Sequence, residues 1–427
     1  MKLRSSHRTS TVVALGVLVL VQLMGAASAD AALRSRIASA VRHSGVSGST
    51  SVVVYDAQTR SVIYGHNQRR AVAPASNQKL FTAAGALRAL GPNYRLQTRL
   101  ALRGTQHNHT FDGSIYLIGG GDPSLSTRKF ARKNLDGTGS NIALLINPLQ
   151  FRGIRRITGK LVVDESYLDR QRYVSSWPSS FRFDETTALG ALTVNQSYLG
   201  SCLCGASSHK PAVRAGQVYL NLLESSGVRV DGGIRVGRTP DNAQIVGTVQ
   251  SPPMRMLVRF MNKHSDNFTA EILLKDLGKV QTGSGSTKRG AREARRQARL
   301  LGVPVRNLRI KDGSGLSSSN RASARQVAEL LNRVDNDATI GWSFVQSLAV
   351  SGRSGTLKHR LVRHPYRGRV RGKTGTLRRT SALSGYAQRY RGGRRYGFSV
   401  ITASDGGQVP IGTAHQLQDR LAAILVR

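Results

Sequence analysis

Strand-like sequence sits near both ends of this 427-residue chain, while much of what lies between reads as helix. Near the amino terminus, residues 50–55 and 61–64 are rich in β-branched and aromatic side chains. They flank the turn 56–59, a hairpin signal. Near the carboxyl terminus, residues 370–373, 384–390 and 396–402 read as strands, the last two flanking the basic turn 391–394. A closing helix over 413–426 puts Leu417, Leu421, Ile424 and Leu425 on one stripe. Such a pattern predicts one antiparallel sheet assembled from the two termini, with everything else hung between its strands.

The chain is too long for one ordinary compact core, which predicts two domains or one domain with a large insertion. Hydrophobic residues make up 39% and charged residues 20%, a globular composition and not a disordered one. From 94 to 248 short strand-like pieces (114–118, 160–164 and 218–222) alternate with Gly and Asp turns, predicting a β-rich insertion. Helical periodicity marks 32–41, 77–90, 254–262, 267–277, 287–301 and 323–334. The expected division is residues 1–29 as a leader, 30–93 with 249–427 as a discontinuous main domain, and 94–248 as an inserted one.

Lys2, Arg4 and Arg8 precede the apolar run 12–23 and the small residues Ala27, Ser28 and Ala29. That is the layout of a secretory signal peptide, with cleavage expected after Ala29 or Ala31. The run is short of the ~20 residues that span a bilayer. An exported chain without a membrane anchor, in the periplasm or cell wall, is the expectation. The formal charge of +40 attracts polyanions. For an exported protein these are anionic cell-wall polymers or lipid head groups before nucleic acid. The basic residues are spread over every segment without an aromatic platform, unlike a nucleic-acid groove. Cys202 and Cys204 are the only cysteines, compatible with either two small turn residues or a local disulfide, and too few for a structural metal site.

Three patterns carry chemistry. In Ser76-Asn-Gln-Lys79 a hydroxyl and an ammonium group share a helix face, so a neutral lysine could take the serine proton. The same spacing recurs at Ser126/Lys129 and Ser207/Lys210, but only Ser76 follows Pro74 and leads into an apolar helix. Ser265-Asp-Asn267 offers a proton-relaying hydroxyl and an orienting amide, although alone it reads as a helix cap, and Ser318/Asn320 repeats it. Lys373-Thr-Gly-Thr376, expected to leave a strand, offers a cation and two hydroxyls for a carboxylate, with Gly375 permitting close approach. Each has an ordinary structural explanation. Their co-occurrence in this order does not: it is the motif set of penicillin-binding proteins and class A β-lactamases.

The sequence resembles the class C low-molecular-mass penicillin-binding proteins, the D-alanyl-D-alanine carboxypeptidase/endopeptidase family. Residues 116–125, Ser251-Pro-Pro-Met254, 261–267, Asp312-Gly-Ser-Gly-Leu316 and 373–377 carry the likeness, which extends over nearly all of the chain after the leader. The resemblance implies an α+β transpeptidase-like fold: an antiparallel five-stranded sheet flanked by helices, a helical subdomain and a β-rich insertion between Lys79 and Ser265. It implies Ser76 as nucleophile, Lys79 as base, Ser265 as proton relay, Asn267 orienting the peptide, and Lys373 helping to keep Lys79 neutral. Thr374, Gly375 and Thr376 would bind the terminal carboxylate, with the backbone N–H groups of Ser76 and Thr376 as oxyanion hole. Peptidoglycan stem peptides and β-lactams are the implied ligands, with no metal or cofactor. The insertion is shorter than in the largest members, the Cys202/Cys204 pair has no counterpart, and the Glu loop of class A enzymes is not recognisable. A β-lactamase-like hydrolase and a catalytically idle wall-binding homologue are the alternative readings.

Overall fold

The computed structural model describes residues 29–404 and 406–427, so most of the expected leader lies outside it. A six-stranded antiparallel sheet runs in the order Ala349–Val350, Val370–Leu377, Thr380–Gln388, Arg395–Ala403, Thr50–Asp56, Val62–His66. The two chain ends meet where Thr50–Asp56 pairs with Arg395–Ala403, Val52 opposite Val400. One strand more than expected is present because the two residues Ala349–Val350 add to the edge of Val370–Leu377, a pairing too short to leave a periodic signal.

The central strands of this sheet are covered on both faces, so Thr50–Asp56, Thr380–Gln388 and Arg395–Ala403 are buried nearly throughout. Val53, Tyr55, Ala382, Tyr386 and Ile401 face a core built with the helices Gln78–Leu90, Met254–His264, Asn267–Thr282, Thr287–Leu300 and Ala324–Asp335. The alternate residues Val52, Val54, Leu383, Phe398 and Val400 pack against the helix 29–42 through Leu33, Ile37 and Val41. Leu417, Leu421 and Leu425 of the closing helix Ile411–Val426 complete that layer. The period-two alternation thus assigns each side chain to one of two cores. Tyr386 ties the layers polarly as well, its hydroxyl donating to the Leu331 carbonyl at 2.7 Å.

A second sheet, of seven strands, is drawn wholly from residues 97–250. Gln97–His107 pairs antiparallel with Thr110–Ile118 and with Gln244–Gln250, while Leu161–Asp164 joins in parallel. Residues 218–222, expected as strand, instead lie in the helix Pro211–Ser225. Pro211 opens that helix, and Ala212, Ala215, Tyr219 and Leu223 recur on its buried side, a helical period that outweighs the local β propensity. The stretch from 167 to 191 leaves this sheet and packs Leu168, Val174, Trp177 and Leu189 against Phe268 and Ile272. Cys202 and Cys204 form a disulfide, resolving the choice that the sequence left open. Among the described residues no helix is long and apolar enough to cross a membrane.

The Asn267–Thr282 helix has eleven consecutive residues, Phe268 to Gly278, buried. Leu274 lies at its centre, fully buried. Leu274→Ala should cost about 3 kcal/mol through lost apolar contact and the residual cavity, read as a lower midpoint in equilibrium denaturation.

Candidate active site

Three separate chain segments converge where the Gln78–Leu90 helix begins. Pro74 leads into a single 3-10 turn, Ala75–Asn77, and the α-helix starts only at Gln78. Ser76 therefore sits just ahead of the helix instead of inside its first turn. Ala75 is held at φ 48°, a left-handed conformation that costs energy for a residue with a Cβ. The turn is pinned from beneath by a buried polar chain in which Asn77 Nδ2 donates to Ser384 Oγ, itself bonded to Ser399 Oγ.

Lys79 is fully buried and donates to three acceptors: Ser76 Oγ at 3.0 Å, Asn267 Oδ1 at 2.7 Å and the Ser314 carbonyl at 2.8 Å. Burial lowers its pKa to about 8, against the opposing pull of Asp266, Glu271, Asp312 and Glu185. Lys373, also fully buried, donates to Ser265 Oγ and to the Thr374 carbonyl, both at 2.9 Å. Its pKa lies well below the ordinary lysine value, first through burial and then through the charge of Lys79. The resemblance implied that Lys373 helps to keep Lys79 neutral; burial is the leading cause of the lowered pKa at both lysines.

Ser265 ends the Met254–His264 helix in a left-handed conformation at φ 58°, and Asp266 then caps the next helix by accepting from Thr269 N–H at 2.7 Å. Asp266 is thus the plain cap, which leaves Ser265 and Asn267 for the cleft. The Lys373–Thr376 segment lies inside the strand Val370–Leu377 and not at its exit, because every residue from Val370 to Leu377 pairs with Thr380–Gln388. Gly375 lies against the nucleophile turn: a Cβ there would stand 3.1 Å from Ser76 N and 3.2 Å from the Pro74 carbonyl oxygen. Thr374 Oγ1 donates to Thr356 Oγ1 at 2.8 Å, and Thr376 is exposed at the mouth.

The copies of these motifs are scattered. Ser126 is buried in a short strand while Lys129 is exposed on the Arg128–Asn134 helix, and Ser207 and Lys210 precede the Pro211 helix. Asn320 serves the fold by donating to Asp312 Oδ1 at 2.7 Å.

Several residues at the site had no assigned role in the sequence. Asp312-Gly-Ser-Gly-Leu316 carries the carbonyl of Ser314 to Lys79. Gly315 has φ 92°, and a Cβ on it would stand 2.0 Å from the Ala75 carbonyl oxygen, so only glycine fits. Asp312 is clamped by Trp177 Nε1 at 2.8 Å and Gly315 N–H at 2.9 Å. Glu271 accepts from the N–H groups of Gly313 and Ser314, and burial beside Asp312 raises its pKa. Its signal was legible: Asn267 and Glu271 are four apart and so share one face of the helix. Glu185 had no such signal. Asn267 Nδ2 donates to its backbone carbonyl at 2.9 Å and to Oε2 at 3.2 Å. Burial raises the pKa of this carboxyl, and Lys79 opposes the rise. Asn267 can present only its oxygen to an ammonium group and only its nitrogen to a carboxylate, so its orientation is fixed.

Among the described residues no group of three or more His, Cys, Asp or Glu side chains is arranged to hold a metal ion. What the arrangement offers is a half-exposed hydroxyl touching a buried lysine of depressed pKa, and a second hydroxyl touching a second such lysine.

Residues 33–199 and 190–424 match the profile of the D-Ala-D-Ala carboxypeptidase 3 (S13) family. A D-alanyl-D-alanine carboxypeptidase of Actinomadura sp. is 28% identical, the match covering 87% of this chain and 80% of that protein. Among solved structures, penicillin binding protein 4 of Haemophilus influenzae superimposes with a TM-score of 0.73 at 20% identity, covering 88% of this chain and 95% of that one. A predatory peptidoglycan endopeptidase of Bdellovibrio bacteriovorus gives 0.57 at 19% identity, covering 88% and 92%.

An NMR titration of Lys79 should show a midpoint near 8. Glu185→Gln removes a negative charge that favours the ammonium form, so the midpoint should move down. An unchanged or raised midpoint would contradict the contact.

Proposed function

The chain belongs to the D-Ala-D-Ala carboxypeptidase 3 (S13) family, whose members are low-molecular-mass penicillin-binding proteins, and from that premise we propose a serine acyl-enzyme mechanism centred on Ser76. The overall reaction is D-alanyl-D-alanine carboxypeptidase hydrolysis. The observation that carries the mechanism is the 3.0 Å contact between Ser76 Oγ and a fully buried Lys79 whose pKa is brought down to about 8. An appreciable fraction of that lysine is neutral near neutral pH and able to act as base.

In the forward direction Ser76 Oγ attacks the carbonyl carbon of the penultimate D-Ala while its proton passes to Lys79. The oxyanion is held by the backbone N–H groups of Ser76 and Thr376. Collapse breaks the C–N bond, and Ser265, held by Lys373, gives its hydroxyl proton to the departing amine. Ser265 is reprotonated by the proton that Lys79 took from Ser76, which leaves Lys79 neutral again. Asn267 aligns the peptide, and Thr374 and Thr376 hold the terminal carboxylate beside Gly375. Water then attacks the ester carbon and gives a proton to Lys79, the Ser76 Oγ–C bond breaks, and Lys79 returns that proton to the serine oxygen. A β-lactam enters the same first step, but its amine stays tethered, so the adduct persists. The stem peptides that such an enzyme cleaves, together with the leader-like residues before the described chain, support action outside the cytoplasmic membrane.

Fluorescent penicillin should label the wild-type protein covalently, and Ser76→Ala should abolish labelling while keeping the thermal midpoint. Equal labelling of the mutant would overturn the assignment. Labelling should speed up as pH rises through about 8, because only neutral Lys79 is competent. Lys79→Ala should slow it by ~10²–10⁴-fold, the usual contribution of a general base.

A further inference from the structure

Four cations stand together beside the Ser265/Lys373 side of the cleft without anionic partners of their own. Arg259 and Lys263 lie four apart on the Met254–His264 helix, Lys263 two residues before Ser265. Arg371 lies two residues before Lys373 and so on the same face of its strand, ~7 Å further along it. Arg353 comes from the loop that carries Thr356, and Gly355 of that loop abuts the Lys263 carbonyl.

Among the described residues none of these four side chains makes a hydrogen bond or ion pair. Some other arginines are paired, as Arg360 is with Asp419, Arg394 with Asp30 and Arg395 with Asp335. Arg371 is repelled by Arg353 and Arg259, and Lys263 by Arg259 and Arg371. Arg371, half-buried, is held below the ordinary arginine range by burial and then by Arg353 and Arg259. Lys263 is lowered by burial and then by Arg259 and Arg371, with Asp136 alone opposing, and Asp136 is bonded to His264 at 2.8 Å. Beyond Arg353 the surface opens into a basin of about 860 Å³ also lined by Lys358, His359, His364 and Arg367. Like charges gathered at this cost, accessible and unpaired, form a ready site for an anion.

The position of the cluster says which part of a substrate reaches it. The departing amine takes its proton from Ser265, so whatever is attached to that amine extends to the Ser265/Lys373 side. We infer that Arg259, Lys263, Arg353 and Arg371 form a leaving-group subsite for an anionic peptide, the second stem of a cross-linked substrate. This inference rests on the acyl-enzyme reading above. A monomeric stem releases D-alanine, whose single carboxylate is already met at Thr374 and Thr376. A cross-linked substrate releases an amine that still carries the second stem with its further carboxylates, and those carboxylates run onto the cluster. Guanidinium groups suit them, because a planar fork takes a carboxylate with two hydrogen bonds. The same C–N bond chemistry then serves as endopeptidase cleavage, with the reacting groups unchanged.

The test compares kcat/KM for a cross-linked dimeric muropeptide with that for a monomeric pentapeptide. In Arg259→Gln/Arg353→Gln the dimer-to-monomer ratio should fall about tenfold, the scale of losing two such contacts. Arg353→Gln alone, on an exposed loop, should lower it part of the way. Amidating the second stem's carboxylates should lower the wild-type ratio similarly and barely move that of the double variant. Penicillin acylation of each variant reports that its site is folded. A variant that is acylated normally and keeps the wild-type ratio would overturn the subsite. Wild-type protein that penicillin does not acylate would instead overturn the reading beneath it.

Discussion

Two lysine side chains buried within one cleft set the terms for the rest of the molecule. An ammonium group taken out of water is costly unless its protons find acceptors, and two such groups also repel. The fold answers Lys79 with three acceptors from three places in the chain: Ser76, Asn267 and the Ser314 carbonyl. It answers Lys373 with Ser265 and the Thr374 carbonyl. Only one nitrogen needs to be charged at a time, because burial lowers both pKa values and the charge of Lys79 lowers that of Lys373 further. The same physics that makes the site expensive to fold is what would let one lysine act as a base near neutral pH in the mechanism proposed above.

Carboxylates regulate how far that goes. Glu271 and Asp312 do not touch Lys79, yet both favour its charged form, and both are spent on backbone N–H groups of the 313–317 turn. That turn is what aims the Ser314 carbonyl. Glu185 acts from the opposite side, through Asn267. Burial pushes the Glu271 carboxyl up to about 7, which moderates its pull on Lys79 near neutral pH. The site is therefore a balance of burial against a ring of partly restrained negative charge, and no single partner of Lys79 determines its state.

The residues of the cleft were legible in the sequence to the extent that their chemistry is local. Ser76/Lys79, Ser265/Asn267 and Lys373–Thr376 each carry a spacing with a meaning, and the three segments come together in the structure. Glu271 was legible in principle, as a charge four residues on from Asn267 and on the same helix face. Glu185 was not, because it follows a four-residue helix, Phe181–Asp184, in an exposed segment with no periodicity. Its role exists only because Trp177 and its neighbours fold back onto Asp312 and Phe268. The sheet shows the same divide. Strands buried on both faces, such as Thr50–Asp56 and Arg395–Ala403, were readable from their β-branched and aromatic runs, whereas Ala349–Val350 exists by pairing alone and the 218–222 stretch was misread from five residues of a fifteen-residue helix.

That fold-back also bears on why a segment from the middle of the chain belongs at the cleft at all. The residues that precede the Asn267–Thr282 helix supply one wall, the 313–317 turn supplies the floor, and the Val370–Leu377 strand supplies the other wall. With these alone, Asn267 Nδ2 would face solvent and its amide could rotate, leaving Lys79 with a nitrogen in place of an oxygen. Glu185 removes that freedom by accepting from Nδ2 with two oxygens. The residues around 185 thus complete the electrostatics of the nucleophile without lying in its motif. Opposite them, the loop bearing Arg353 and Thr356 adjoins the Ser265/Lys373 side. In the mechanism proposed above, one accessory segment thus orders the base and the other borders the exit of the leaving group, so both bear on specificity from outside the three motifs.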